Sequence, residues 1–150
     1  MNWLIKHQQQ LSVAELYAIL ALRTNVFVVE QNCPYPEVDG QDLVGDTYHL
    51  MAWEDGKLLA YLRILDPALN NGRVIIGRVV TEASARNRKL GHGLMETALT
   101  YIGKYFPDYP IKLGAQAHLQ GFYGRYGFVA AGEEYLEDGI PHIDMVKEIN

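Results

Sequence analysis

The chain is predicted to fold as a mixed α/β domain, a single sheet with helices on its faces. Three observations carry this. Two strand-like runs meet at Asp55-Gly56, a strong hairpin signal. Two segments with helical apolar spacing flank a nearly unbroken apolar run, Val74-Ile75-Ile76-Gly77-Arg78-Val79-Val80-Thr81. The 150 residues, 49% apolar and 21% charged, suffice for one well-filled core and not for two ordinary domains, so residues 1–150 are taken as one domain.

Residues 3–7 read as a first strand. Ser12-Val13-Ala14-Glu15 is a capping box, and Val13, Leu16, Tyr17 and Leu20 then recur at i, i+3, i+4 and i+7, predicting a helix to about Asn25. Residues 31–47, with Pro34, Pro36, Gly40 and Gly45, form a loop whose length marks it as functional or mobile. Residues 48–54 and 57–65 are the two hairpin strands. The apolar run at 74–81 reads as a central strand covered on both faces. Leu94, Met95, Ala98, Leu99 and Ile102 mark a second helix, stopped before Pro107. A short strand at 111–115 and a short helix at 119–126, ended by Gly127, follow. Residues 128–137 and 140–148 close the chain as a hairpin around Asp138-Gly139.

No run approaches the roughly 18 uncharged apolar residues of a membrane span. Residues 1–6 lack the basic-then-apolar order of a signal peptide. A cytoplasmic protein without a membrane partner is expected. The single Cys33 excludes an internal disulfide and a multi-thiolate zinc site. The five histidines show no metal spacing and Asp39-Gly40-Gln41-Asp42 does not continue as a calcium loop, so no metal is implied. A net charge of −5 argues against nucleic-acid binding.

That charge is unevenly placed. Residues 24–56 carry seven acids and no Lys or Arg, whereas residues 57–104 carry eight bases and three acids. The asymmetry points to two ligands of opposite charge in one cleft; chance clustering of surface charge is the plainer alternative. The turn Ala85-Arg86-Asn87-Arg88-Lys89-Leu90-Gly91-His92-Gly93, between a strand and a helix, suits an anion, because helix-start amides are unpaired and Arg grips phosphate. It lacks the Gly-Lys-Ser/Thr of a Walker loop and the third glycine of the dinucleotide fingerprint. A purely structural basic turn is the alternative.

Here the residues resemble the GNAT N-acetyltransferases, whose signature is Arg/Gln-x-x-Gly-x-Gly/Ala. Arg88-Lys89-Leu90-Gly91-His92-Gly93 fits the letters, while Arg86-Asn87-Arg88-Lys89-Leu90-Gly91 places Leu94 three residues after the last glycine, as in the family. The Arg86 register is preferred, with Lys89 departing from the family's glycine and lacking its freedom at positive φ. Gln116 to Phe128 resembles the family's Asn-x-x-Ala-x-x-x-Tyr-x-x-x-Gly-Phe, with Gln116 at the Asn position and Tyr123 at the Tyr position. Residues 22–35 and 137–143 resemble the ElaA-like branch.

The resemblance implies a mostly antiparallel central sheet with helices on both faces, and acetyl-coenzyme A as cosubstrate. The backbone of Val79, Val80 and Thr81 would pair with the pantetheine arm and offer an N–H to the thioester oxygen. The loop Arg86, Asn87, Arg88, Lys89, Leu90, Gly91 and His92 would hold the pyrophosphate, with Gln116 also at the donor. Tyr123 would be the general acid, since a phenol near pKa 10 stays protonated where the leaving thiol, near about 8.5, must gain a proton. Tyr126 corresponds to packing. For the base, Glu30, His49 and His142 stand as alternatives, beside no base at all. Cys33 as an acyl-carrying nucleophile needs a lowered pKa to count.

The expected reaction is acetyl transfer to a primary amine, small or peptide-borne. The acceptor is expected to carry further positive charge and to enter past the acidic loop at 31–47. A homodimer is compatible with this reading. Longer-chain acyl transfer is one rival, because Arg23…Phe27…Glu30 resembles acyl-homoserine lactone synthases. A non-catalytic coenzyme A-binding module is the other.

Overall fold

A computed structural model describes residues 1–149, which build one eight-stranded sheet. In chain order the elements are β1 (Asn2–His7), α1 (Val13–Arg23), a π-helical turn (Thr24–Glu30), β2 (Tyr48–Glu54), β3 (Lys57–Leu65), β4 (Val74–Thr81) and α2 (Leu90–Tyr105). They continue with β5 (Ile111–Gln116), α3 (Gln120–Gly124), β6 (Val129–Ala130), β7 (Tyr135–Glu137) and β8 (Ile140–Lys147). The sheet order is β1-β2-β3-β4-β5-β8-β6, with β7 also on β8, and every pair is antiparallel except β4–β5. No described helix is long and apolar enough to cross a membrane.

The capping box forms as its spacing requires. Glu15 N–H donates to the Ser12 hydroxyl at 3.0 Å, and Ser12 N–H donates to the Glu15 carboxylate at 2.8 Å. Alternation along β2 then divides the core between the two faces. Met51 points to α1, joining Ile19, Leu22, Val26, Leu58, Tyr61 and Val80. Its neighbours Leu50 and Ala52 point to the other face, where Leu94, Met95, Ala98 and Ile102 of α2 cover Leu62, Ile64 and Ile76.

Three expectations change. The first helix does not stop at Asn25 but runs on as a π-helical turn to Glu30, because Val26 joins the Ile19–Leu22 cluster and this packing outweighs the weak helix propensity of the Val-rich run. The strand predicted over 128–137 is two short strands, β6 and β7, interrupted around Gly132 at φ 119°. The short helix at 119–126 is a 3-10 turn, Ala117–Leu119, followed by α3.

The feature that builds the site is in β4. Only Val74 and Ile75 pair with β5, against Ile111 and Lys112, and beyond them the strands part. At the parting Arg78 adopts φ 54°, and the register of β4 against β3 shifts between Tyr61 and Arg63. A bulge of this kind bends one strand away from its neighbour. It leaves the sheet open between β4 and β5.

Candidate active site

Two concavities meet at that opening. An inner cavity of about 270 Å³ lies between β4, β5 and the β7–β8 turn, and includes Arg78, Gln116, Glu137, Asp138 and His142. An outer groove of about 580 Å³ follows the end of β4 to the start of α2, along Val80, Thr81, Arg86, Asn87, Lys89, Gly91 and His92. Val79, Leu119 and Tyr123 line both. They stand where the groove enters the cavity.

The groove ends on a turn held in an uncommon conformation. Asn87 at φ 71° and Lys89 at φ 60° are both left-handed, and Lys89 is the residue from which α2 starts. Lys89 thus adopts a left-handed backbone that a glycine takes up more readily. Helix geometry leaves the N–H groups of Leu90, Gly91 and His92 without intrahelical partners, aimed at the groove. Gly91 and Gly93 serve different neighbours. A Cβ on Gly93 would lie 2.6 Å from the Trp3 ring, so this glycine lets α2 close on β1, whereas Gly91 borders the groove.

The expected phosphate-binding arginines are paired with carboxylates. Arg86 Nη1 lies 2.7 Å from Glu30 Oε2, and Arg86 Nη2 donates to the Thr81 carbonyl at 3.2 Å. Arg88 Nη1 lies 2.7 Å from Glu54 Oε2, away from the groove lining. His92 Nδ1 is 2.5 Å from the Tyr126 hydroxyl, and its ring lies against Phe122 at 4.9 Å. Tyr126, expected only to pack, therefore also orients His92.

Tyr123 is buried, and burial pushes its phenol up to about 12. Its hydroxyl has no hydrogen-bond partner among the described residues, which leaves the proton available at the junction. The three alternatives for the base fall in different places. His49 is sealed in the core: Nε2 donates to the Asp42 carbonyl at 2.9 Å, Nδ1 meets the Tyr61 hydroxyl at 2.7 Å, and burial lowers its pKa. With both nitrogens occupied and no exposure, His49 cannot take a proton from a substrate. Glu30 sits outside the inner cavity on Arg86. His142 lines the cavity, next to Gln116 across the β5–β8 pair. Its Nδ1 donates to the Ile140 carbonyl at 2.8 Å, and its Nε2 lies 3.5 Å from Glu137 Oε2.

The acidic loop is not an open lip. Glu37 and Asp42 are buried on Arg23, with Nε–Oε2 and Nη1–Oδ1 distances of 2.6 Å. Arg63 binds Asp39 at 2.6 Å and Asp42 at 3.0 Å; Arg78 binds Glu37 at 2.8 Å and Asp39 at 3.3 Å. The Tyr35 hydroxyl donates to Glu37 at 2.6 Å. These three arginines and three carboxylates balance in charge and strap the loop to the sheet. Of the seven acids in residues 24–56, five meet an arginine, Asp46 hydrogen-bonds His7, and Asp55 in the hairpin turn has no side-chain partner among the described residues. The charge asymmetry along the chain is largely self-complementary.

Sequence reasoning does not find Arg78, Tyr35, Gln31, Glu137 and Asp138 as cavity residues. They come from a loop, a bulge and a turn whose meeting is purely tertiary. Cys33 is also there, its Sγ 3.7 Å from the Asp138 carbonyl, and burial with the Asp138 charge raises its thiol pKa, the opposite of an activated nucleophile. Among the described residues no group of three His, Cys, Asp or Glu side chains is arranged to hold a metal.

The parallel β4–β5 pair opens after two residues, with the turn that starts α2 at the mouth of the gap. The chain belongs to the GNAT family: the acetyltransferase (GNAT) domain matches residues 24–149. Protein ElaA of Escherichia coli K12 is 49% identical over 148 residues, 99% of this chain and 97% of that protein. The E. coli ElaA crystal structure superposes with a TM-score of 0.93 at 48% identity, over 99% of this chain and 100% of that one. The crystal structure of an acyl-CoA N-acyltransferase from Pseudomonas aeruginosa is 62% identical with a TM-score of 0.96, over 98% of this chain and 99% of that one.

Proposed function

We propose that this acyltransferase moves the acetyl group of acetyl-coenzyme A to a primary amine by direct attack. One observation carries the reading: Tyr123 and Val79 border both the outer groove and the inner cavity, so a thioester reaching in from the groove meets an acceptor in the cavity beside a protonated phenol. The likeness to the Pseudomonas aeruginosa N-acyltransferase supports nitrogen as the acceptor atom.

In this reading the amine nitrogen bonds to the thioester carbon, and the carbonyl oxygen gains charge near the backbone of Val79. The C–S bond then breaks and Tyr123 gives its proton to the sulfur. A phenol at about 12 is a weak acid against a thiol at about 8.5 in water, but the burial that raises the phenol also raises the thiolate's proton affinity at the same place. Nε2 of His142 takes the amine's proton, and Glu137 steadies the imidazolium. The amides of Leu90, Gly91 and His92, with Arg86 and Lys89, hold the donor's phosphates once Arg86 exchanges Glu30 for phosphate.

An amine-library screen reading free coenzyme A thiol, run with acetyl- and octanoyl-coenzyme A, tests the proposal. Acetyl transfer predicts thiol release with the acetyl donor and a small set of amines. Preference for the octanoyl donor selects longer-chain transfer. Thermal stabilisation by the donor with no thiol release for any amine selects a binding module.

A further inference from the structure

The inner cavity carries opposite charges on its two sides, and this bears on what enters it. On the β4 side stands Arg78. Its Nε donates to Glu37 Oε2 at 2.8 Å, and Nη2 reaches the Glu37 carbonyl at 3.4 Å and Asp39 Oδ2 at 3.3 Å. Among the described residues Nη1 has no partner, and the side chain is 24% exposed. The guanidinium is thus clamped on one edge and open on the other, so it can donate without being ordered at the moment of binding. Across the gap, beyond β5, the β7–β8 turn presents Glu137 and Asp138, with His142 beside them. Arg78, Tyr35, Glu137, Asp138 and His142 all line this one cavity of about 270 Å³, which sets its two walls facing each other across a space the size of a small molecule.

We propose that the acceptor is a small zwitterion of the α-amino-acid class, its carboxylate received by Nη1 of Arg78 and its amino group by the Glu137–His142 side. This rests on the transfer reading above and narrows it. A purely cationic amine would meet Glu137 and Asp138 but would leave the open Nη1 of Arg78 unmatched, and the loop carboxylates Glu37, Asp39 and Asp42 are already held by arginines. The ammonium of the zwitterion first gives one proton to His142, and the freed amine nitrogen bonds to the acetyl carbon. The C–S bond then breaks, Tyr123 passes its proton to sulfur, and the second proton leaving nitrogen restores the phenol.

The test compares three matched acceptors with wild-type enzyme and acetyl-coenzyme A: an amino acid, its carboxamide, and its decarboxylated amine. Each is drawn from the side-chain classes that score in the thiol-release screen, and each rate is divided by the free-amine fraction at the assay pH. The amino acid is expected to exceed both partners by about 10- to 100-fold in kcat/KM, the range of one charge-assisted hydrogen bond. Arg78→Lys should collapse that ratio to within about 3-fold, since an ammonium lacks the clamped fork. Should Arg78→Lys fail to fold, Glu137→Gln on the exposed turn serves instead, raising KM for the amino acid several-fold. Equal or better turnover of the carboxamide or the decarboxylated amine overturns this inference and leaves acetyl transfer standing. Absence of thiol release with every amine in the library overturns both.

Discussion

Replacing Arg23 by Met tests whether the loop at 31–47 is a strap or a lip. Arg23 is fully buried and makes three polar contacts: Glu37 Oε2 at 2.6 Å, Asp42 Oδ1 at 2.6 Å and the Glu37 carbonyl at 3.1 Å. Burial opposes its charge, but the hydrogen bonds it donates to Asp42 and Glu37 and the nearby charges outweigh that, and the guanidinium holds its proton more tightly than usual. Methionine fills the apolar stem and removes the charge. Glu37 keeps Arg78 and Tyr35, and Asp42 keeps Arg63, so the network is left one positive charge short rather than empty. Breaking a buried pair from one side costs about 3–5 kcal/mol. For a domain near this size each kcal/mol moves the Tm by about 2–4 °C, so a fall of about 6–20 °C is expected by circular dichroism. Adding Asp42→Asn should recover part of the loss, as coupled neighbours do. A fall of less than about 2 °C would show that the loop does not depend on this network, and the strap account would be wrong.

The same network sets the acid limit. Burial alone would raise Asp39, but Arg63, the Gln41 N–H and Arg78 pull it down from 3.8 to about 2. Its stabilising contribution, about 2 kcal/mol, is therefore complete above about pH 4 and lost as pH falls toward 2, and Asp39→Asn should flatten urea-unfolding stability across that window. Glu30→Gln frees Arg86 and should tighten acetyl-coenzyme A binding several-fold by calorimetry while kcat stays within about 3-fold; a kcat loss of about 10²-fold would instead make Glu30 the base. Gly93→Ala drives a methyl to 2.6 Å from the Trp3 ring and should cost about 1–3 kcal/mol in chemical denaturation. A neutral result there would mean that Trp3 yields freely.

Local chemistry was legible and tertiary chemistry was not. The capping box at Ser12, the Asp55-Gly56 hairpin and the stop before Pro107 depend on neighbours in sequence, and each forms where its residues stand. The bulge at Arg78 is different, because an arginine at positive φ carries no sequence mark; it is held by Glu37 and Asp39 from a loop about forty residues earlier. A histidine in a strand can face either way, and only the hydrogen bonds of His49 to the Tyr61 hydroxyl and the Asp42 carbonyl show that it faces inward. The charge asymmetry was real, but composition records the imbalance of a segment and not the partner it folds against.

The central claim is that Tyr123, at the junction of groove and cavity, delivers the proton to the leaving sulfur. Its most direct test is thiol release by Tyr123→Phe and Tyr126→Phe beside wild type, with the donor dissociation constant measured separately for each. The account predicts that Tyr123→Phe lowers kcat by about 10²- to 10³-fold with donor affinity unchanged, and that Tyr126→Phe costs far less. It also predicts that wild-type activity climbs with pH toward the amine's pKa, with no fall from ionisation of Tyr123 until pH approaches about 12. Equal losses in the two variants, or a loss of less than about 3-fold for Tyr123→Phe, would contradict it.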